Sequence, residues 1–135
     1  MKSSPAELAL ILALTGLLCG PVCAQVAVVM VPGASPLSKE QIANLYLGRS
    51  AELHPLDLPE GNATRDIFYK KATERDPAQV KATWSRLVFS GKGTPPKEVP
   101  DAAAVKKAVA ADPKAVGYID KAAADASVKV VLTLD

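Results

Sequence analysis

The run Val-Ala-Val-Val-Met-Val at residues 26–31, followed by Pro32-Gly33, decides how this chain folds. Six apolar residues in a row, four of them β-branched, show no alternation of polar and apolar positions. Such a run is typical of a strand covered on both faces, whereas a strand with one wet face alternates. A strand of this kind needs other elements on both sides of its sheet. We therefore expect an α/β protein, with Pro32-Gly33 ending its first strand.

Helical and extended segments alternate through the rest of the chain. The helices are expected to begin at residues that cap well, namely Ser38 (with Gln41 at the capping-box position), Asn62, Asp76 and Asp101. In the third helix the apolar face is expected to comprise Val80, Trp84, Leu87 and Val88. Further strands are predicted at 54–58, 116–120 and 128–134, with a loop at 90–97. This order predicts an α/β domain with a mainly parallel sheet flanked by helices.

Residues 1–24 have the pattern of a secretory signal peptide. Lys2 precedes an apolar run from Leu8 to Leu18, and Val22 and Ala24 stand at the −3 and −1 positions of a cleavage site. The run is shorter than the roughly 20 residues that span a bilayer, so cleavage near Ala24 is expected, with an uncleaved anchor as the alternative. The predicted product is one exported domain, residues 25–135, without a stable membrane anchor.

Cysteine placement bears on how that domain is held together. Both cysteines, Cys19 and Cys23, fall inside the predicted signal peptide. The exported domain therefore has neither a disulfide nor a thiol nucleophile, and its stability has to come from its core.

The turn Leu-Pro-Glu-Gly at 58–61 and the residues after it form the candidate ligand site. Proline and glycine mark a turn, and Asn62 caps the helix that follows. The first N–H groups of a helix lack intrahelical partners and carry partial positive charge, so they can hold an anion. Thr64 adds a hydroxyl and Arg65 a guanidinium. The predicted oxyanion site is therefore Gly61, Asn62, Ala63, Thr64 and Arg65. A polar first turn that binds only water is the alternative.

Several blocks of the sequence resemble the phosphate-type periplasmic substrate-binding proteins of ABC transporters. These blocks are residues 26–50, Leu-Pro-Glu-Gly-Asn-Ala-Thr-Arg-Asp-Ile-Phe at 58–68, Ala-Val-Gly-Tyr-Ile-Asp at 115–120 and Val-Lys-Val-Val-Leu-Thr-Leu at 128–134. The block at 84–93, with Pro95-Pro96 after it, is similar to the short, single-lobe subgroup of that family. The resemblance implies a periplasmic-binding-protein fold, normally two α/β lobes around a cleft, of which this chain holds one. It also implies phosphate as ligand and an ABC permease as partner.

The candidate site departs from the family's pattern. The family's turn is Gly-Ser-Gly-Thr, whereas this chain has Gly61-Asn62-Ala63-Thr64, so Thr64 is retained while two other positions differ. Leu58 stands where the family places an arginine. Phosphate sites depend on several charge-assisted donors and on an enclosing cleft. The sequence therefore predicts micromolar or weaker binding of phosphate or a similar small oxyanion.

A second hypothesis is an interaction or adaptor domain that binds no solute. Half a cleft exposes strand ends and apolar surface, and such patches tend to mark interfaces. The expected partner is then a permease, another periplasmic protein or a second copy in a homodimer.

Catalysis, metals, cofactors and nucleic acid are not predicted. His54, the chain's one histidine, has no evident nucleophile or carboxylate partner in the sequence. The piece Gly91-Lys92-Gly93-Thr94 lacks the first glycine of a phosphate-binding loop. The acidic residues Asp57, Glu60 and Asp66 are spaced too irregularly for a calcium site. A net charge of +2 is too small to indicate nucleic acid.

Overall fold

The computed structural model describes residues 25–135. The predicted signal peptide, its cleavage site near Ala24 and both cysteines lie outside the described residues. Among residues 25–135, no helix is both long enough and apolar enough to cross a membrane.

Strands and helices alternate along the described chain. The strands are β1 (Val26–Met30), β2 (His54–Asp57), β3 (Lys97–Glu98), β4 (Ala115–Asp120) and β5 (Lys129–Leu134). The helices are α1 (Lys39–Tyr46), α2 (Ala63–Thr73), α3 (Pro77–Phe89) and α4 (Ala102–Ala111), with a 3-10 helix at Lys121–Ala123. The predicted α/β class is confirmed. The short strand β3 was not predicted, because it begins inside the proline-containing segment expected to be a loop.

The five strands form one mixed sheet in the order β3-β2-β4-β1-β5. Strand β2 pairs in parallel with β3 and β4, whereas β1 is antiparallel to both of its neighbours, β4 and β5. Four strands thus point the same way and β1 alone runs against them. The carboxyl ends of β2 and β4 consequently lie at one edge of the sheet, where ligand sites of α/β folds tend to be found.

Strand β1 is the centre of the core. All five of its residues are buried, as its uninterrupted apolar run predicts. In the neighbouring β4, successive residues point to opposite faces of the sheet. Gly117 faces Val105 of α4, whereas the ring of Tyr118 stacks on Phe68 of α2. Helices therefore cover both faces of the sheet.

An aromatic cluster fills the face beneath α1 and α2. The rings of Phe68 and Tyr118 stack with centroids 3.9 Å apart, and Tyr46 meets Phe68 edge-on at 4.7 Å. The Trp84 indole N–H donates a hydrogen bond of 2.8 Å to the Tyr46 carbonyl, which ties α3 to the end of α1. Edge-to-face and offset stacking are the arrangements that aromatic quadrupoles favour.

The helix caps predicted from sequence are confirmed at all four helices. Ser38 and Asp76 form capping boxes with Gln41 and Gln79, and the side chains of Asn62 and Asp101 accept backbone N–H bonds from the first turns of α2 and α4. Each cap satisfies donors that a helix start would otherwise leave free.

The end of α3 differs from the prediction. Val80 and Trp84 are buried as expected, but Val88 is 49% exposed and Phe89 is 95% exposed. Pro95 and Pro96 line the same cavity as these residues. The predicted apolar face of α3 is therefore buried at Val80 and Trp84 but open to solvent at Val88.

Candidate functional site

The candidate site lies where β2 ends and α2 begins. Strand β2 stops at Asp57, and the chain then reverses through a turn in which the Asn62 N–H bonds to the Pro59 carbonyl at 3.1 Å. Gly61 has a φ of 88°, a left-handed conformation that glycine adopts without strain. The turn therefore brings the start of α2 beside the end of β2.

The side chain of Asn62 accepts two of the backbone N–H groups that were predicted to bind an anion. Its side-chain oxygen accepts the N–H of Thr64 at 2.8 Å and the N–H of Arg65 at 3.2 Å. The expectation that these amides are free for a ligand is corrected, because a good N-cap residue satisfies them internally. Among the five predicted site residues, this leaves chiefly the Thr64 hydroxyl and the Arg65 guanidinium as donors for an oxyanion.

The five predicted site residues differ in how far they are exposed to solvent. Gly61 and Ala63 are exposed, and Asn62 and Thr64 are half-buried. The Arg65 side chain is only 11% exposed and turns back toward the end of β2. The five residues are contiguous in space, but their cation faces inward.

Arg65 is held between a carboxylate and an aromatic ring. Its Nε lies 3.4 Å from Oδ1 of Asp57, and its Cζ lies 5.0 Å from the centre of the Tyr69 ring. The Nε atom is buried and has no hydrogen-bond partner. The guanidinium is thus fixed in place by charge and by the ring while its hydrogen-bonding capacity is not used up.

Asp57 is the centre of this arrangement, and sequence reasoning missed it. The Tyr69 hydroxyl donates to Oδ2 at 2.7 Å, the Tyr118 hydroxyl donates to Oδ1, and the Leu58 N–H donates to Oδ1 at 2.9 Å. The side chain is nearly buried. The available signal was a carboxylate placed between Leu56 and Leu58 at the end of a strand, where an isolated buried charge needs partners.

The two tyrosines serve this carboxylate as protonated donors. Burial, followed by the charge of Asp57, raises the pKa of both Tyr69 and Tyr118 well above the ordinary value of 10.0. Burial alone would lower the pKa of Arg65, but Asp57 and Tyr69 raise it. At neutral pH both tyrosine hydroxyls of the cluster therefore stay protonated, and Arg65 keeps its charge.

A cavity of about 260 Å³ opens beside the first turn of α2. Its lining includes Gly61, Arg65 and Lys81, together with the carboxylates of Glu60 and Asp66. Lys81 pairs with Glu60 at 3.1 Å. Cations and carboxylates are balanced there, so the cavity is less favourable to an anion than Arg65 alone would be. Within residues 25–135, no group of three or more acidic, histidine or cysteine residues could hold a metal ion.

Comparison with known proteins finds likeness in structure only. No protein-family profile and no curated protein matches the sequence. A protein from Clostridium perfringens, described as a phosphate ABC transporter substrate-binding protein with bound phosphate, superposes with a TM-score of 0.61 at 19% identity over 80% of this chain. An ABC-type phosphate transport receptor from Vibrio cholerae gives 0.61 at 20% identity over 80%. PstS from Borrelia burgdorferi gives 0.51 at 12% identity over 73%.

These likenesses define the class of fold. The chain is an α/β lobe of the periplasmic-binding-protein type, with a five-stranded sheet flanked by helices. It spans less than half the length of these neighbours, namely 45%, 46% and 42% of their chains. At this level of identity the likeness establishes the fold and leaves the ligand to be argued from the site.

Proposed function

We propose that this chain is an exported solute-binding protein that binds phosphate or a similar small oxyanion at the start of α2. The placement of Arg65 supports the proposal most. Its guanidinium is fixed by Asp57 and Tyr69, lies in the first turn of a helix and lines the cavity that opens there. A preorganised guanidinium at a helix start favours a small anion through both its charge and the helix dipole.

Binding in this proposal is weak. The Asn62 side chain already accepts two backbone N–H groups of the first turn, and Leu58 stands where an arginine would supply a guanidinium. The carboxylates of Glu60 and Asp66 bring negative charge to the cavity. The remaining donors are the Arg65 guanidinium, the Thr64 hydroxyl and Lys81. The expected dissociation constant is therefore micromolar or higher.

Export and partners belong to the same proposal. Residues 1–24 direct the chain to the periplasm and are removed near Ala24. The fold neighbours are described as transport substrate-binding proteins or receptors, which supports a transport role rather than catalysis. A permease, or a second copy that encloses the ligand, is the proposed partner.

Isothermal titration with phosphate and with sulfate tests the oxyanion site. The purified protein is expected to give heat with at least one anion at millimolar concentration, and Thr64→Val is expected to weaken binding several-fold. Thr83→Val is the matched control, because the Thr83 hydroxyl is exposed on α3 and bonds within its own helix. The absence of heat with both anions would overturn the proposal.

A further inference from the structure

A second cavity, of about 480 Å³, is also lined by Arg65. One of its walls is apolar. It is formed by Val80, Trp84, Val88 and Phe89 of α3 and by Pro95 and Pro96 of the following loop. Phe89 and Val88 are large apolar side chains left exposed at 95% and 49%. An exposed apolar wall beside a cavity of this size is typical of a ligand site.

The rest of the lining is polar and includes two cations. It comprises Asp57, Arg65, Tyr69, Lys81 and Ser85. Arg65 is paired with Asp57, and Lys81 is paired at 3.1 Å with Glu60, a residue outside this lining. Two cations and one carboxylate therefore line the cavity, so the charge of this polar part is complementary to one negative group.

We propose that this cavity binds a small amphipathic organic anion, with its apolar chain or ring against α3 and its single carboxylate toward Arg65 and Lys81. A volume of about 480 Å³ suits a small organic molecule. An inorganic oxyanion has no apolar surface to place against Trp84, Val88 and Phe89. The inference goes beyond phosphate binding and does not depend on it, although the two sites share the Arg65 side chain.

The fluorescence of Trp84 can measure binding in this cavity. Trp84 is the single tryptophan of the chain and lines the cavity, so its fluorescence reports what enters. We expect 4-phenylbutyrate to change Trp84 fluorescence saturably. The uncharged analogue 4-phenylbutanol, which has the same ring and chain, is expected to bind at least about tenfold more weakly, because it cannot use the cations. Equal binding of the two probes would overturn the proposed role of the polar part.

Two variants test whether 4-phenylbutyrate binds in this cavity. Phe89→Ser removes an exposed side chain of the apolar wall, and Lys81→Gln removes a cation that is 67% exposed, so neither change endangers the fold. Each is expected to weaken 4-phenylbutyrate binding about threefold or more. Lys107→Gln, an exposed lysine of α4 outside the cavity, is the matched control and is expected to bind as the wild type does.

Two outcomes would overturn the inference. Trp84 also lines a further cavity beside Ser50 and His54, so wild-type binding by both Phe89→Ser and Lys81→Gln would place the probe there. A dimer in sedimentation that Phe89→Ser dissociates would mean that a second copy covers the apolar wall. If the Phe89→Ser variant still gives heat on titration with phosphate, that heat is assigned to the site at the start of α2. The two proposals can therefore fail separately.

Discussion

Loss of the Asp57 carboxylate is expected to destabilise the fold strongly. Its carboxylate accepts hydrogen bonds from Tyr69, Tyr118 and the Leu58 N–H and balances Arg65, all in a nearly buried environment. In Asp57→Ala these donors lose their acceptor and Arg65 stays buried without a counter-charge. Removing one partner of a buried pair costs about 3–5 kcal/mol. We expect a loss of this size in the free energy of unfolding, measured by urea denaturation.

Glu52→Ala is the control for that prediction. Glu52 is exposed in the segment before β2, and substitutions at such positions change stability by about 0.5 kcal/mol or less. A loss in Asp57→Ala no larger than that in Glu52→Ala would show that the carboxylate cluster adds nothing to folding.

At this scale the sequence predicted the residue types of the site better than their partners. Thr64 and Arg65 were identified as polar residues at a helix start, and the structure places them there. The Asp57 carboxylate is also bound by the Tyr118 hydroxyl, and Tyr118 lies 61 positions beyond Asp57 in the chain. No local pattern specifies such a contact, because it follows from how β2 and β4 pair.

The cap of α2 can be tested separately from the ligand. Asn62→Gly frees the Thr64 and Arg65 amides, while glycine at an N-cap costs only a few tenths of a kcal/mol. If phosphate binds at the start of α2, the freed amides are expected to tighten its binding. Isothermal titration measures the change, and Asp101→Gly, the same replacement at the cap of α4, is expected to leave it unaltered. Weaker phosphate binding by Asn62→Gly would contradict the predicted arrangement of donors.

The packing of α4 on β4 depends on Gly117, which has no side chain. A Cβ at Gly117 would lie 2.5 Å from Cγ1 of Val105, which is too close, so the Val105 side chain or the backbone would have to shift. Overpacking of this kind costs about 1–3 kcal/mol, so Gly117→Ala is expected to lower the free energy of unfolding by that amount. Adding Val105→Ala makes room, and the double variant is expected to lose less than the sum of the single losses. Strict additivity in urea unfolding would contradict this account of the contact.

Elements were predictable where the signal is local. Each helix start follows from a capping residue, and β1 follows from one apolar run, because these features depend on neighbours in sequence. The antiparallel direction of β1 and the two-residue strand β3 depend on pairing with distant segments. The exposed end of α3 was missed for a related reason, since its helical spacing continues after its packing partners have ended.

The whole lobe has one hydrophobic core to which all four helices and the four longer strands contribute. Residues 25–135 contain no cysteine, so a disulfide cannot add to its stability. Stability therefore rests on packing and on the buried polar cluster at the end of β2. The lobe superposes on less than half of each solved neighbour, yet its core is continuous without the remainder of those chains.

Alkaline pH is the condition that tests this cluster in the whole molecule. The chain contains three tyrosines, Tyr46, Tyr69 and Tyr118, and burial together with the charge of Asp57 raises the pKa of each above its ordinary value of 10.0. Above that pH the unfolded chain releases these protons while the folded chain keeps them. The unfolded state then binds fewer protons, so the free energy of unfolding falls as pH rises. Below the ordinary pKa both states are protonated, and this contribution to stability is fully present.

The expected slope follows from the number of protons. Each retained proton lowers stability by about 1.4 kcal/mol per pH unit, so three tyrosines give roughly 4 kcal/mol per unit above about pH 10. Urea unfolding across this range measures the slope, and Tyr118→Phe is expected to reduce it by one third. Tyrosinate absorbance should rise together with the loss of circular dichroism, whereas protein already unfolded in urea titrates near the ordinary value. Tyrosinate that forms near pH 10 with the circular dichroism unchanged would mean that burial and the charge of Asp57 do not keep these hydroxyls protonated in the folded protein.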